Sequence, residues 1–336
     1  MPKNRVAIVG AGVSGLTCGV LFAERGFRTA IFAKEIGQQT TSGAAGAVWF
    51  PYDAEPAEKV IPWALATYET LVDLSRDSRS GVSMVDIHQF SRAGKIRTPE
   101  WAIALGARPL PSSVIPGSHA AMSSEVEASL AVNASLFTSG YSIRVPLTDT
   151  TIYLDHLADR FLAAGGSITA NAHFQKLENV GEQFDLVINC AGIGARKLVA
   201  DRDLEPHRGQ VAIVPKMEDL SCAVVCDDAP LMYVIPRTND CLFGGTNDVS
   251  NDLRADPATT NQIVAECSRV LNIDKPGVLA ERVGLRPFRK SGVRLEQDRL
   301  GDGRTVIHDY GHGGSGFTLS WGCASEVLDI AESEQP

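Results

Sequence analysis

The chain has 336 residues and lacks both the long apolar runs and the excess of positive charge that mark several common protein classes. No stretch reaches the roughly 18 consecutive apolar residues of a membrane-spanning helix, so we expect no membrane partner. Thirty-one Lys and Arg against forty Asp and Glu give a net charge of −9. A nucleic-acid partner is therefore not expected, because such proteins need a basic surface field.

Cysteine is scarce, odd in number and scattered: the chain has seven, and only Cys222 and Cys226 lie close together. Neither a second close pair nor clustered histidines accompany them, so we predict no metal site. The same distribution argues against a disulfide framework and favours a reducing compartment. With 44% hydrophobic residues, the chain can still build a sizeable core, which excludes a disordered protein.

The clearest pattern present is a strand–turn–helix unit at the start of the chain. Residues 5–9 predict a buried parallel strand, residues 16–25 a helix and residues 28–33 a second strand. Gly10, Gly12 and Gly15 form G-x-G-x-x-G at the first junction. Such glycines allow a tight turn, close approach of a pyrophosphate and close helix–strand packing, so this unit predicts dinucleotide binding.

The other end of the dinucleotide is indicated by the second predicted strand and by the C-terminus. An acid near the end of the second strand commonly binds the adenosine ribose, and Glu35 is the acid available there, with Lys34 as the alternative. A second glycine-rich loop, 312–318, directly precedes the last predicted helix. Two close approaches at opposite ends of the chain suit an extended cofactor such as FAD.

Candidate groups for substrate binding are arginines rather than an acid–base pair. The sequence has no G-x-S-x-G motif and no evident Ser/His/Asp triad. Several arginines lie in residues 286–294, and an arginine fork is the side chain best suited to a carboxylate. The sequence pattern alone does not say which arginine would bind it.

The remaining pattern predicts a discontinuous α/β organisation. Helices are expected near 60–74, 153–164 and 320–331, and strands near 167–170, 185–192, 210–214, 232–235, 241–245 and 305–308. A Rossmann-like body would receive residues 1–57, 146–198 and 284–336. A second α+β substrate domain, built on a mostly antiparallel sheet, would comprise residues 58–145 and 199–283.

In this order, the motifs resemble those of the D-amino-acid oxidase family of FAD enzymes, which have a glutathione-reductase-like fold. The resemblance covers nearly the whole chain. It rests on residues 9–16, 40–42, 49–52, 189–192, 208–210, 233–237, 244–246, 284–289, 293–296 and 310–316.

The resemblance implies oxidative deamination of a D-amino acid. FAD would be bound non-covalently, the α-hydrogen would leave as hydride, and the imino acid would hydrolyse to a 2-oxo acid and ammonia. O₂ would take the electrons and give hydrogen peroxide. Such chemistry needs orientation and exclusion of water rather than a strong base. The C-terminus lacks a peroxisomal tripeptide, so a cytoplasmic enzyme is expected, with a homodimer as one option.

The resemblance also implies roles for individual residues. Arg289 would bind the substrate carboxylate, Tyr233 would add its hydroxyl, and the Gly314 carbonyl would accept from the amine. Phe50, Tyr52, Ser315 and Arg237 would belong to the substrate pocket. The positions implied for FAD are Gly10, Gly12, Val13, Ser14, Gly15, Lys34, Glu35, Thr40, Thr41, Gly46, Cys190, Gly192, Gly313, Gly316, Phe317 and Thr318.

One departure from many relatives leaves the substrate open. Residues 215–232 lack a second tyrosine and contain Glu218, Asp219, Asp227 and Asp228. These acids favour basic or neutral side chains over D-aspartate, whereas Arg237 would favour a second carboxylate if it points inward. The alternatives are the same chemistry on D-aspartate, glycine or a specialised biosynthetic amino acid, a flavin dehydrogenase that does not use oxygen, or a dinucleotide-binding module without turnover.

Overall fold

The computed structural model describes residues 5–110 and 132–333, and within these ranges the strands form two β-sheets. Sheet A has the strand order β14 (Arg294–Arg299), β15 (Thr305–Tyr310), β7 (Leu186–Asn189), β1 (Arg5–Val9), β2 (Arg28–Phe32) and β6 (Ser167–Thr169). Neighbouring strands of sheet A are parallel to each other, except that β14 runs antiparallel to β15.

Sheet B is antiparallel except where β9 runs parallel to β3. Its order is β12 (Asp248–Val249), β8 (Leu204–Pro215), β11 (Asp240–Gly244), β10 (Met232–Pro236), β9 (Cys222–Cys226), β3 (Val82–Ser91), β5 (Ser139–Thr148) and β4 (Arg108–Pro109). Strand β13 (Ala280–Arg289) pairs with β8 along its whole length.

Helices cover one face of sheet A and the outer face of sheet B. They are α1 (Val13–Glu24), α2 (Ala57–Leu74), α3 (Glu100–Ala104), α4 (Thr150–Ala163), α5 (Ala195–Leu198), α6 (Pro257–Leu271) and α7 (Gly316–Ser333). Helix α1 packs between α4 and α7, and α2 packs on α7. The largest core cluster joins these helices to sheet A and to one face of sheet B, whereas α6 packs on the other face of sheet B.

Local sequence explains where several elements begin and end. Asp149 caps α4 by accepting from the Thr151 backbone N–H. Asp256 caps α6 in the same way, and Asn272 ends that helix in the left-handed conformation at φ 54°. The fold therefore confirms the expected pair of a mainly parallel sheet and a mainly antiparallel sheet, with element bounds shifted by a few residues.

The predicted domain boundaries fall inside elements of the structure. Residue 58 lies within α2, residue 146 within β5 and residue 284 within β13. Helix α2 packs with the helices of sheet A, although it was predicted in the substrate domain, and β13 belongs to sheet B, although its second half was predicted with the FAD body. The division into domains stays a prediction, and its parts at 1–4, 111–131 and 334–336 lie outside the described residues.

Two predictions from composition concern cysteines and membranes. All seven cysteines are buried and unbridged. Cys222 and Cys226 both lie on β9. Across the described ranges, no helix combines the length and apolar character needed to cross a bilayer.

Candidate active site

A cavity of about 1170 Å³ runs from the carboxyl ends of the sheet A strands to the inner face of sheet B. Val9 and Phe32 end β1 and β2 at one end of it, and Tyr233 and Arg286 project from β10 and β13 at the other. Ligands of parallel α/β sheets bind at the carboxyl ends of the strands. The volume exceeds the usual range for a single small ligand, so it has room for a large cofactor and a substrate together.

The first glycine loop is shaped to admit a diphosphate. Gly10 has φ 116°, and a side chain there would overlap the Cys190 carbonyl. A side chain at Gly15 would overlap the Gly10 carbonyl, so Gly15 serves helix–strand packing and does not itself line the cavity. Helix α1 begins at Val13 without a side chain capping it. Its N-terminus therefore points its positive dipole end into the cavity, where Gly12 and Ser14 also lie.

The Val13 N–H donates to the Ser42 Oγ at 3.0 Å, which ties this turn to the segment after β2. That segment supplies Thr40, Thr41 and Gly46 to the cavity wall. Lys34 and Glu35 also line the cavity, but they form an exposed ion pair with each other at 2.7 Å.

The second glycine loop lies beside the same cavity. Gly313, Gly314, Gly316, Phe317 and Thr318 all line it. Gly313 has φ 53°, and a side chain there would overlap the Asp53 carbonyl. The loop therefore brings its backbone close to residues 50–53, and the two predicted glycine loops meet in one cavity. The structural features together fit FAD: a large cavity, a helix N-terminus with glycine at its N-cap, and two glycine loops that admit close approach.

Ser315 has a different place from the predicted one. It is fully buried and does not line the cavity. Its Oγ accepts from the Tyr52 N–H at 2.7 Å and donates to the Tyr52 carbonyl at 2.5 Å. Thr318 bonds the Phe50 backbone in the same two ways. These hydroxyls fix residues 50–52 against α7, so that Phe50 and Tyr52 line the cavity as expected.

Cys190 and Gly192 line the cavity after β7. The Cys190 thiol lies 3.6 Å from Asp309 Oδ2, and the Cys18 thiol approaches the same oxygen at 3.6 Å. The other oxygen of Asp309 lies 3.0 Å from His312 Nε2. Burial raises the pKa of the Cys190 thiol well above its ordinary value, so the thiol stays protonated and supports the wall rather than acting as a nucleophile.

The structure corrects the choice of the carboxylate-binding arginine. Arg289 does not line the cavity. Its Nε donates to Asp201 at 2.8 Å and its Nη1 to the Gly292 carbonyl at 3.0 Å. Burial acts to raise the pKa of the Asp201 carboxyl, but hydrogen bonds from Arg289 and Tyr310 hold it below its ordinary value. Arg289 is therefore committed to a structural ion pair.

Arg286 occupies the place that was expected for Arg289. It lines the cavity, its Nη2 lies 3.5 Å from the Tyr233 hydroxyl, and its Nη1 donates to the Thr246 carbonyl at 2.8 Å. Successive side chains of a strand point to opposite faces, so residues three apart in β13 face opposite ways. In addition, Arg289 is the last residue of β13, beyond the cavity-lining residues 283–287, and its bond to Asp201 holds the guanidinium there.

Glycines give these two side chains their space. The Tyr233 ring lies over Gly244, its partner in the β10–β11 pair, where a side chain would overlap the ring. The Arg286 guanidinium lies over Gly209 of β8, where an added Cβ would be 2.6 Å from Nη1. Burial raises the pKa of Tyr233, so its hydroxyl keeps its proton and can donate to an anion.

Asn247 links Arg286 to Tyr52. Its Oδ1 accepts from Arg286 Nη1 at 3.2 Å, and its Nδ2 donates to the Tyr52 hydroxyl at 3.3 Å. Burial raises the pKa of Tyr52 as well. Sequence reasoning missed Asn247, and its proximity to the motif 244–246 is the one signal that could have indicated it. Ser42 was missed for the same reason, since it only adjoins the predicted Thr40 and Thr41.

Arg237 is also placed differently from the expectation. It is buried, lies outside the cavity wall, and forms a two-pronged ion pair with Asp240 at 2.6 and 2.8 Å. Asp240 lies three residues after Arg237 in the same hairpin, so it accepts the guanidinium's hydrogen bonds and balances its charge locally. The argument that this arginine could bind a second substrate carboxylate is therefore wrong.

The acidic segment 215–232 contains strand β9, with turn and loop residues on either side of it. Glu218 is exposed beside Lys216, and Asp228 accepts from Ser91 and from the Arg92 backbone. Among the four acids of this segment, Asp227 lines the cavity, and the apolar Leu231 of the same segment lines it too.

Comparison with known proteins agrees with this geometry. The sequence matches the family described as FAD dependent oxidoreductase (DAO) over residues 5–330. A D-amino-acid oxidase of Rubrobacter xylanophilus is 36% identical over 333 residues, covering 97% of this chain and 95% of that protein. A D-amino-acid oxidase of Streptomyces coelicolor is also 36% identical, with 98% and 97% covered. The solved glycine oxidase from Geobacillus kaustophilus has the same fold, with a TM-score of 0.81 at 19% identity, covering 99% of this chain and 96% of that one.

Proposed function

Since the chain belongs to the DAO family of FAD-dependent oxidoreductases, we propose that it catalyses oxidative deamination of D-amino acids with O₂ as the electron acceptor. The observation that carries the proposal is the pairing of Arg286 with Tyr233 in the cavity that also contains both glycine loops. A guanidinium and a phenol side by side form a binding site for a carboxylate.

FAD would lie along the cavity with its diphosphate at Gly10, Gly12 and the N-terminus of α1. When bound, it supplies the electron acceptor for the substrate's Cα–H bond and passes the electrons to O₂.

The protein's own residues bind and orient the substrate. Arg286 and the protonated Tyr233 hydroxyl would hold its carboxylate, and the carbonyl of Gly314, which lines the cavity, would accept from its amine. Phe50 packs edge-on against Trp101, with ring centroids 5.4 Å apart, and gives the cavity an apolar wall that excludes water. Orientation of this kind supplies catalysis without a general base.

The experiment is a spectrum followed by turnover on a matched panel. We expect purified protein with a bound flavin spectrum to release peroxide from D-amino acids and not from their L-enantiomers. Arg286→Leu should keep the flavin spectrum and lose turnover. A flavin-containing protein that oxidises L-amino acids, or none, would contradict the proposed substrate, and bleaching without peroxide would point to an acceptor other than O₂.

A further inference from the structure

We propose that Asp227 is the specificity-determining residue of the substrate cavity and selects D-amino acids with a positively charged side chain, such as D-lysine and D-arginine. This inference rests on the proposed function. It takes the cavity to have two charged ends, with Arg286 at the carboxylate end and Asp227 at the side-chain end.

The fold places Asp227 within reach of a substrate held at Arg286. In sheet B, Val225 of β9 lies opposite Tyr233 of β10. Val225 of β9 and Asp227, one residue beyond the end of β9 at Cys226, both line the cavity. Asp227 is thus displaced by about 7 Å along the strand from the pair that contains Tyr233. An extended side chain with a four-carbon stem can bridge such a gap.

The local electrostatics leave Asp227 without a counter-ion. Its Oδ2 accepts from Gln89 Nε2 at 2.9 Å. Within residues 5–110 and 132–333 it takes part in no ion pair, and its Oδ1 accepts no hydrogen bond. Burial raises the pKa of the Asp227 carboxyl, and the Gln89 hydrogen bond opposes that shift. Asp227 is exposed and lines the cavity, so its uncompensated carboxylate is open to a ligand cation, which it would attract.

Gln89, which donates to Asp227, has a carbonyl oxygen that receives no hydrogen bond from the described residues. The Gln89 Oε1 is buried and has no hydrogen-bond partner among the described residues. Gln89 thus donates its Nε2 to Asp227, while its own carbonyl oxygen has no donor among the described residues. Buried acceptors in native proteins are normally satisfied. An ammonium or guanidinium group in the cavity would donate N–H bonds to the Asp227 carboxylate, whereas a carboxylate side chain would meet a like charge.

The Tyr52 hydroxyl connects the two ends. The charges of both Asp227 and Arg286 act on its pKa, in opposite directions, after the larger effect of burial. A substrate lying past Tyr52 would therefore be within range of the charges of both Arg286 and Asp227. That arrangement complements the charges of a D-amino acid with a cationic side chain.

The test compares isosteric substrates that differ in side-chain charge. The kcat/KM ratios of D-lysine to D-norleucine and of D-arginine to D-citrulline are measured for the wild type and for Asp227→Asn. We expect the substitution to lower both ratios about 10- to 100-fold, because it removes a charge-assisted hydrogen bond. Asp227→Glu should retain the preference. Glu218→Gln removes one negative charge from the same segment at an exposed position and should leave the ratios unchanged.

A binding measurement separates this inference from the proposed function. Calorimetry on the holoenzyme compares 6-aminohexanoate with hexanoate, which lack the α-amine and cannot turn over. Oxidation of D-amino acids with unchanged ratios in Asp227→Asn would overturn the inference and leave the function intact. Equal losses for charged and neutral substrates would assign Asp227 a merely structural role. Preferential binding of 6-aminohexanoate that Asp227→Asn abolishes, without oxidation of any D-amino acid, would keep the site and reject the function.

Discussion

Replacing Gly209 by alanine should impair substrate binding without unfolding the protein. An added Cβ would lie 2.6 to 2.7 Å from Nη1, Cζ and Nη2 of Arg286. Since non-bonded contacts settle near 3.5 Å, the guanidinium must move by about 0.8 Å or more. The 2.8 Å bond to the Thr246 carbonyl would then lengthen or break. A misplacement of about 1 Å in an orienting group can cost about 100-fold in rate.

The stability of the same variant should change little. Gly209 does not have a positive φ, so alanine is not strained by its backbone. Alanine gains about 0.5–1 kcal/mol over glycine within a strand from the smaller entropy loss on folding. The weakened Arg286 hydrogen bonds cost a similar amount. We therefore expect the free energy of unfolding to stay within about 1 kcal/mol of wild type.

The assay measures kcat and KM for a D-amino acid by peroxide release, together with thermal unfolding of the holoenzyme. We expect kcat/KM to fall about 10- to 100-fold, mainly through KM. Gly277→Ala is the matched control, because a Cβ there meets nothing within 4 Å. An unchanged KM in Gly209→Ala, or an equal loss in the Gly277 variant, would refute the assignment of Arg286 to the substrate carboxylate.

Three further predictions follow from the same geometry. Arg286→Lys should lower kcat/KM about 100-fold and leave the stability unchanged. Arg289→Lys should instead lower the free energy of unfolding by about 1–3 kcal/mol and leave kcat/KM unchanged. Equal effects of the two substitutions in kinetic and unfolding assays would contradict the two roles. Gly12→Ala should weaken FAD binding at least about 10-fold with little effect on apoprotein unfolding, because its Cβ would lie 3.1 Å from Ser42 Oγ and so disturb the turn proposed to hold the diphosphate; titration of apoprotein with FAD measures this. The preference for D-lysine over D-norleucine should be full at neutral pH and decline as the pH falls through the raised pKa of Asp227, because only the ionised carboxylate attracts the ammonium. A D-lysine to D-norleucine kcat/KM ratio that does not change with pH, or that is lost when the pH is raised through that pKa, would count against this.

Sequence reasoning predicted the local parts of the site correctly. The first β-α-β unit and its glycine turn are encoded within about thirty residues, because apolar periodicity and G-x-G-x-x-G act at short range. The second glycine loop was likewise placed directly before the last helix, where the structure has it. The same reasoning could not locate Ser315, since its hydroxyl is spent on Tyr52, 263 residues away.

The sequence by itself determined the two kinds of sheet, the glycine loops and the presence of an arginine near the end of β13. Only the tertiary structure decided that the arginine facing the cavity is Arg286, because the face of a strand depends on its register with β8. It also decided that Arg237 is neutralised by Asp240, and that Asp227 meets Gln89 across 138 residues of chain. Patterns of local sequence fix backbone geometry, whereas the partners of a buried charge come from distant segments that only folding brings together.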